Sequence, residues 1–275
     1  MNSDQRRSPD FATLAGGVIA LLSILGGLIL EGGSVRDIAQ VTAALMVVGG
    51  TLGAVFVSTP LHTLLAAARS LRLLFFDRVQ PLEQTLDTIV RLSMKARKTG
   101  IGSLEPDAIA MEDTFFGKGL NLLVDNTPLE QVRGMLELEL DLEECRLDSE
   151  AKVFETAGGY APTVGIIGAV LGLIQVMKHL ENIDDVGRGI AVAFVATIYG
   201  VALANLILLP AAAKLRFRAA RIVQLRELTL EGIAGISEAM NTSLLRMKLE
   251  PYLSTSKPAR RVKPVAHPRP EPSAA

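Results

Sequence analysis

Four stretches of this sequence contain no aspartate, glutamate, lysine or arginine: Phe11–Leu30, Ile38–Ala68, Thr156–Met177 and Gly189–Ala213. Each is at least 20 residues long. A helix rises about 1.5 Å per residue, so 20 residues cover the hydrocarbon core of a bilayer, roughly 30 Å. A soluble chain of 275 residues would have to bury all four runs in one core. Such cores draw on aromatic rings, yet aromatic residues are 4% of this chain and tryptophan is absent. The 49% apolar content is instead mainly Leu, Ile, Val, Ala and Gly, gathered in blocks. The sequence therefore predicts an all-α integral membrane protein with four transmembrane helices, at 11–30, 38–59, 156–177 and 189–213.

Basic residues orient these spans. Arg6 and Arg7 precede the first, Arg36 follows it, and eleven Lys and Arg lie in the loop 60–155. Lys178 and Arg188 sit in the link between the last two spans, and twelve more follow the fourth. Placing 25 of the 28 on one side satisfies the positive-inside rule. Arg69 and Arg72 after the second span, and Lys214, Arg216 and Arg218 after the fourth, satisfy it locally. This predicts a multi-pass protein of the bacterial inner membrane with a cytoplasmic N-terminal segment 1–10 and a cytoplasmic C-terminus. The arginine pair before an apolar run also resembles the start of a signal peptide. The run is a full span and no Ala-x-Ala site follows, so it reads as an uncleaved first helix.

The loop 60–155 is itself helical in pattern. Leu82, Leu86, Ile89 and Val90 line one face, with Gln84, Asp87, Arg91, Lys95 and Lys98 on the other, until Thr99-Gly100 interrupts. Val132, Leu136 and Leu140 keep helical spacing among many acids. After the fourth span the periodicity runs through Ile233, Ile236, Met240, Leu244 and Met247 to Pro251, predicting a C-terminal helix over 214–253. These amphipathic segments are expected to pack as a cytoplasmic helical bundle. The tail 254–275, rich in Pro, Arg, Lys and Ala, is expected to be disordered.

The spans are informative for what they lack. A protein that moves protons or sodium by itself usually holds a mid-membrane acid, histidine or lysine. None lies deep in these four, and His62 and His179 sit near span ends. A titrating group for ion flow must come from another chain. A self-contained transporter is disfavoured for the same reason and for want of inverted repeats. No Ser/His, His/Glu or paired-Asp constellation stands in the spans, so the chain reads as no enzyme. The single Cys145 excludes a disulfide framework and a cysteine-based metal cluster. A net charge of −1 gives no field for nucleic acid. No cofactor or metal is expected.

Small residues dominate the last two spans instead. Gly165, Gly168 and Gly172 allow close helix approach. They form no phosphate loop, because no Lys-Ser/Thr follows them. Thr197 and Asn205 are polar groups at membrane depth, and Thr197 by pattern alone can equally bond its own i−4 carbonyl. Pro162 reads equally as a first-turn proline and Pro210 as an end-of-span kink.

The run Tyr160-Ala161-Pro162 to Gly172, and Ala193-Phe194-Val195-Ala196-Thr197-Ile198-Tyr199-Gly200 through Asn205 to Pro210, resemble the MotA/PomA family of flagellar-motor stator channel subunits. That family is related to the TolQ/ExbB energisers. Lys95 to Glu105 resembles its basic-Gly-Leu-Glu loop segment, and Arg226 to Ile233 its C-terminal helix; the likeness runs in order from Leu14 to Leu253. Met240–Arg246 departs from the family's Gly-Glu-Asn-Pro-like turn.

The resemblance implies several A subunits, five by analogy, around two copies of a single-span MotB-type subunit. That partner brings the mid-membrane aspartate. Thr197, Pro162, Pro210, Ala169, Ala196 and Tyr199 would lie along the ion path. Arg97, Lys98 and Glu105 would contact the rotor protein FliG, and membrane lipid would surround the spans. Sodium-type members carry threonines where this chain has Ala169 and Ala196. Losing two oxygen ligands points to protons over sodium. The alternative is a TolQ/ExbB-type energiser of an envelope complex, but those proteins typically have three spans and an external N-terminus.

Overall fold

In the computed structural model, which describes residues 11–71, 81–111, 113–178, 180–181 and 183–254, the apolar runs fold as helices. The expected N-terminal segment 1–10, Arg72, His179 and the tail beyond Ser254 lie outside these residues. The order is α1 (Phe11–Leu30), α2 (Val35–Ile38), α3 (Val41–Ser58), α4 (Leu61–Leu71) and α5 (Leu82–Thr99). A 3₁₀ turn at Ile101–Leu104 leads to α6 (Glu105–Ile109), α7 (Thr114–Val124), α8 (Leu129–Lys178) and α9 (Ile183–Ala202). A π-helical segment, Leu203–Leu208, then joins α9 to α10 (Leu209–Ser237), followed by α11 (Thr242–Leu249) and α12 (Pro251–Ser254). No strand occurs among the described residues.

Among the described residues, three helices are long and apolar enough to cross a membrane: Val41–Ser58, Leu129–Lys178 and Ile183–Ser237. Helix α1 supplies the fourth apolar segment. The uncharged run from Ile38 to Ala68 is divided at Thr59-Pro60. Thr59 is extended (φ −133°, ψ 133°), as the residue before a proline must tend to be. Helix α3 therefore stops there and α4 leaves at a new angle.

No boundary separates span from bundle in the second half. Helix α8 holds 50 residues in one piece, a rod of about 75 Å. It carries both the amphipathic stretch Val132–Leu140 and the apolar run 156–177. The chain from Ile183 to Ser237 is likewise unbroken. Continuous helices thereby join the apolar runs to the helical bundle.

That bundle has its own core. Leu86, Ile89 and Leu92 of α5 meet Phe115 and Leu120 of α7, Leu136 of α8, Ile233 and Ile236 of α10, and Leu245 of α11. Helix α7 has no counterpart in the sequence reading. It is set by Asp113, whose carboxylate accepts from the amides of Phe115 (3.0 Å) and Phe116 (3.4 Å).

The single helix expected over 214–253 is two helices and a final turn. Helix α10 stops at Ser237, Ala239 takes a φ of 50°, and Asn241 caps α11 by accepting from the Ser243 amide at 3.0 Å. The chain turns back, so Leu245 packs on Gly235, Lys248 on Glu231 and Tyr252 on Gln224. Periodicity carried the expected helix too far because a capping asparagine interrupts an otherwise regular pattern.

Glu231 ties three helices, meeting Arg133 of α8 at 3.0 Å and Lys248 of α11 at 2.7 Å. Burial alone would raise its pKa. The Lys248 and Arg133 partners outweigh this and hold the carboxyl below its usual value. A depressed carboxylate contributes stability above its unfolded pKa and loses it as pH falls. The bundle should melt at lower temperature as pH drops below about 4.3. Glu231→Gln should flatten that dependence in circular-dichroism melts; an unchanged slope would contradict the assignment.

Candidate functional site

The two apolar helices α8 and α9 meet along small residues. Ala161, Gly165, Gly168 and Gly172 of α8 are buried against Gly189, Ala193, Ala196 and Gly200 of α9. Spacings of three and four keep one narrow stripe of each helix turned to the other. The backbones nearly touch. A methyl group on Gly200 would sit 2.6 Å from the Ala161 carbonyl oxygen and 3.1 Å from the Gly165 Cα. One on Gly165 would sit 2.9 Å from the Ala196 carbonyl oxygen. Only glycine fits at this crossing. Helix α3 closes the third side, with Met46 against Gly168 and Val164 against Gly50.

Thr197 lies on α9 beside this crossing and is half-buried. Its hydroxyl donates to the Ala193 carbonyl at 3.2 Å, the local i−4 bond. That bond occupies the hydroxyl proton and leaves the oxygen able to accept. Ala169 is also half-buried, whereas Ala196 is fully enclosed between Gly168 and α3. The structure thus leaves Thr197 and Ala169 partly open on the protomer and shuts Ala196 inside.

Pro162 is not a first-turn proline, because α8 starts 33 residues earlier at Leu129. In a helix interior it removes the amide that the Gly158 carbonyl would otherwise accept from. Pro210 stands in the first turn of α10, just past the π-helical segment. There the Leu209 amide donates five residues back, to Ala204. A π turn is a widened, weakened stretch of ladder, common at functional positions. The two interruptions face each other across the helix pair. Gly200 packs against Pro162, and Gly158 packs against Leu209. Both helices are therefore most easily bent at the same end of the seam.

Tyr199 points elsewhere. Its hydroxyl donates to the Ile38 carbonyl and accepts from the Gln40 amide at 3.3 Å. The Gln40 amide also donates to the Ile38 carbonyl at 3.0 Å, so the Tyr199 hydroxyl adds to a turn already closed between α2 and α3. Nothing in the local sequence signals this pairing, since the partners are some 160 positions away.

A second constellation forms at the far end of α5. Gly100 ends the helix with φ 87°, and its amide donates to the Ala96 carbonyl at 2.8 Å. Lys95 reaches Asp107 at 2.6 Å and Arg91 reaches it at 3.6 Å, clamping α5 to α6. Leu104, fully buried, anchors the turn between them. Arg97, Lys98 and Glu105 stay exposed, and no ion pair among the described residues uses them. The corner is rigid inside and presents two cations and an anion outward.

These features have relatives. The sequence model of the MotA/TolQ/ExbB proton channel family matches residues 107–228, and that of the motility protein A N-terminal region matches residues 14–100. Motility protein A of Helicobacter pylori is 33% identical over 249 residues, 90% of this chain and 97% of that protein. The structure of C. jejuni MotAB matches with a TM-score of 0.86 and 29% identity, covering 90% of this chain and 98% of that one. The flagellar MotAB stator complex from Bacillus subtilis matches with a TM-score of 0.82 and 31% identity, covering 88% and 96%. The chain belongs to the MotA/TolQ/ExbB proton channel family. Within it, the match over residues 14–100 sets this chain with the motility A proteins.

Proposed function

We propose that this chain is the channel-forming A subunit of a bacterial flagellar stator, powered by protons. Copies of it, five by resemblance, surround two single-span MotB-type subunits in the inner membrane, with both termini cytoplasmic. The observation that carries this reading is the seam between α8 and α9. It crosses the apolar runs 156–177 and 189–213 without one Asp, Glu, Lys or Arg, yet both helices are weakened there at Pro162 and at the segment before Pro210. A partner carboxylate fits beside Thr197, whose oxygen can accept from the protonated acid or from water. One charge crossing 100 mV releases about 2.3 kcal/mol. That is enough to shift a helix pair between two bent arrangements when the acid changes charge. The rods α8 and α9–α10 pass the bend to the bundle, and the corner at Arg97, Lys98 and Glu105 pushes on FliG. Ala169 and Ala196 add no side-chain oxygen, which favours protons over sodium.

Flux into vesicles tests the division of labour. Vesicles holding this chain alone should stay proton-tight. Those holding it with the MotB-type subunit should admit protons down an imposed potential, at a rate indifferent to sodium. Conduction by the chain alone, or a sodium requirement, would contradict the proposal.

A further inference from the structure

Among the described residues, Glu150 is the one buried ionisable side chain, 3% exposed. It lies on α8 six residues before the apolar run 156–177 begins. An isolated carboxylate in such a place is costly, and it persists only with partners. Ser70, itself buried in the last turn of α4, directs its hydroxyl to Glu150, the nearer acceptor, with the Ala66 carbonyl also in reach at 3.1 Å. Arg146 reaches the other oxygen at 2.7 Å. The same guanidinium forks onto both oxygens of Glu143, at 2.7 and 2.8 Å. Glu143 also meets Arg226 of α10 at 3.7 Å. Arg146, opposed by partial burial and helped by Arg226, holds the Glu143 carboxyl below its usual range. Arg226 in turn stands over the Phe115 ring of α7, 5.0 Å from its centre.

A single chain of polar contacts thus runs from α4 through α8 to α10 and α7. Its position matters. Helix α4 continues from α3 after the Pro60 break, and beyond it the chain leads to α5 with its exposed Arg97. Ala67 and Val153 pack in one cluster one turn nearer the membrane, and Ser70–Glu150 adds a polar tie between α4 and α8 beyond it. Apolar contact resists separation but allows sliding; a charged hydrogen bond also fixes register.

We infer that Glu150 is a positioning residue of the torque stroke, pinning the α3–α4 arm to α8 so that both halves of the subunit deliver one displacement to the rotor-facing corner. This rests on the stator reading above. Ion passage and assembly with the partner do not need the pin, whereas transmission under load does.

The test uses a strain lacking the chromosomal gene, complemented with tagged full-length variants. Stator units per motor are counted by fluorescence, and speed increments of tethered cells are recorded as units engage one at a time. Glu150→Gln keeps the side chain's shape but removes the charge that Arg146 holds. Ser70→Ala removes only the α4 end and leaves the ion pair intact, which guards against misfolding of the first variant. Both should co-purify with the MotB-type subunit and reach normal unit counts. The increment per unit at high load should fall below the wild-type value in both, and further in Glu150→Gln than in Ser70→Ala. The double variant should lose no more than Glu150→Gln alone. Full-size increments in both single variants, or a torque loss wholly explained by fewer units, would overturn the inference. Failure of the wild-type gene to restore rotation would instead sink the stator reading beneath it.

Discussion

Gly200→Leu should abolish motility and prevent co-purification of the chain with its MotB-type partner. A single methyl at that position already sits 2.6 Å from the Ala161 carbonyl oxygen and 3.1 Å from the Gly165 Cα. Both obstacles are backbone, so no side-chain rotation relieves them. Separating α8 from α9 would open the seam along its length and displace Thr197 from its place beside Gly165. Overpacking of this kind costs about 3 kcal/mol even where a core can yield, and lipid offers no hydrophobic force to close the gap again. Gly134→Ala supplies the contrast. Nothing lies within 4 Å of a methyl group there, and removing a helix-interior glycine gains about 1 kcal/mol. Wild-type motility for Gly200→Leu would mean that the close crossing does not exist in the working complex.

Arg97→Glu should give the second-largest effect, and of a different kind. The side chain is exposed and unpaired within the described chain, so its replacement leaves the bundle intact. Melting temperature, membrane level and partner binding should stay at wild-type values while swarm expansion in soft agar collapses. In the proposed rotor contact the substitution replaces an attractive cation with an anion, and like charges brought together at an interface cost several kcal/mol. Lys98→Glu should cost less, and Glu105→Lys should impair motility in the same direction as Arg97→Glu. Lys95→Glu is the informative control. It breaks the 2.6 Å clamp to Asp107 and should lower stability as well as motility. Normal swarming by Arg97→Glu would remove the corner from the rotor contact.

Much of this was legible because membranes impose simple rules. Uninterrupted apolar length marked the apolar helices, and small-residue spacing at Gly165, Gly168 and Gly172 marked the face of α8 that packs. What escaped were features set by contacts between distant residues or by single caps. Asp113 starts α7 where no periodicity announces a helix. Asn241 ends the C-terminal helix where periodicity would continue it. Tyr199 is placed along the ion path by resemblance, and the sequence does not reveal that its hydroxyl bonds the backbone at Ile38 and Gln40. Ala196 reads as a neighbour of Thr197, but the helix turn between adjacent residues points one into the seam and leaves the other half-open. Pro162 seemed to begin a helix because its apolar run begins there. In fact the polar stretch before it is helical too, and one rod carries both. Glu150 was one acid among many in a charged segment, and only the fold distinguishes it.

Deleting the gene cleanly tests whether the chain powers flagellar rotation. Cells lacking the gene should grow normal flagella that do not turn, and the wild-type gene should restore swimming. Cells that swim normally after deletion but lose envelope integrity or uptake across the outer membrane would contradict the claim and assign the channel to an envelope energiser.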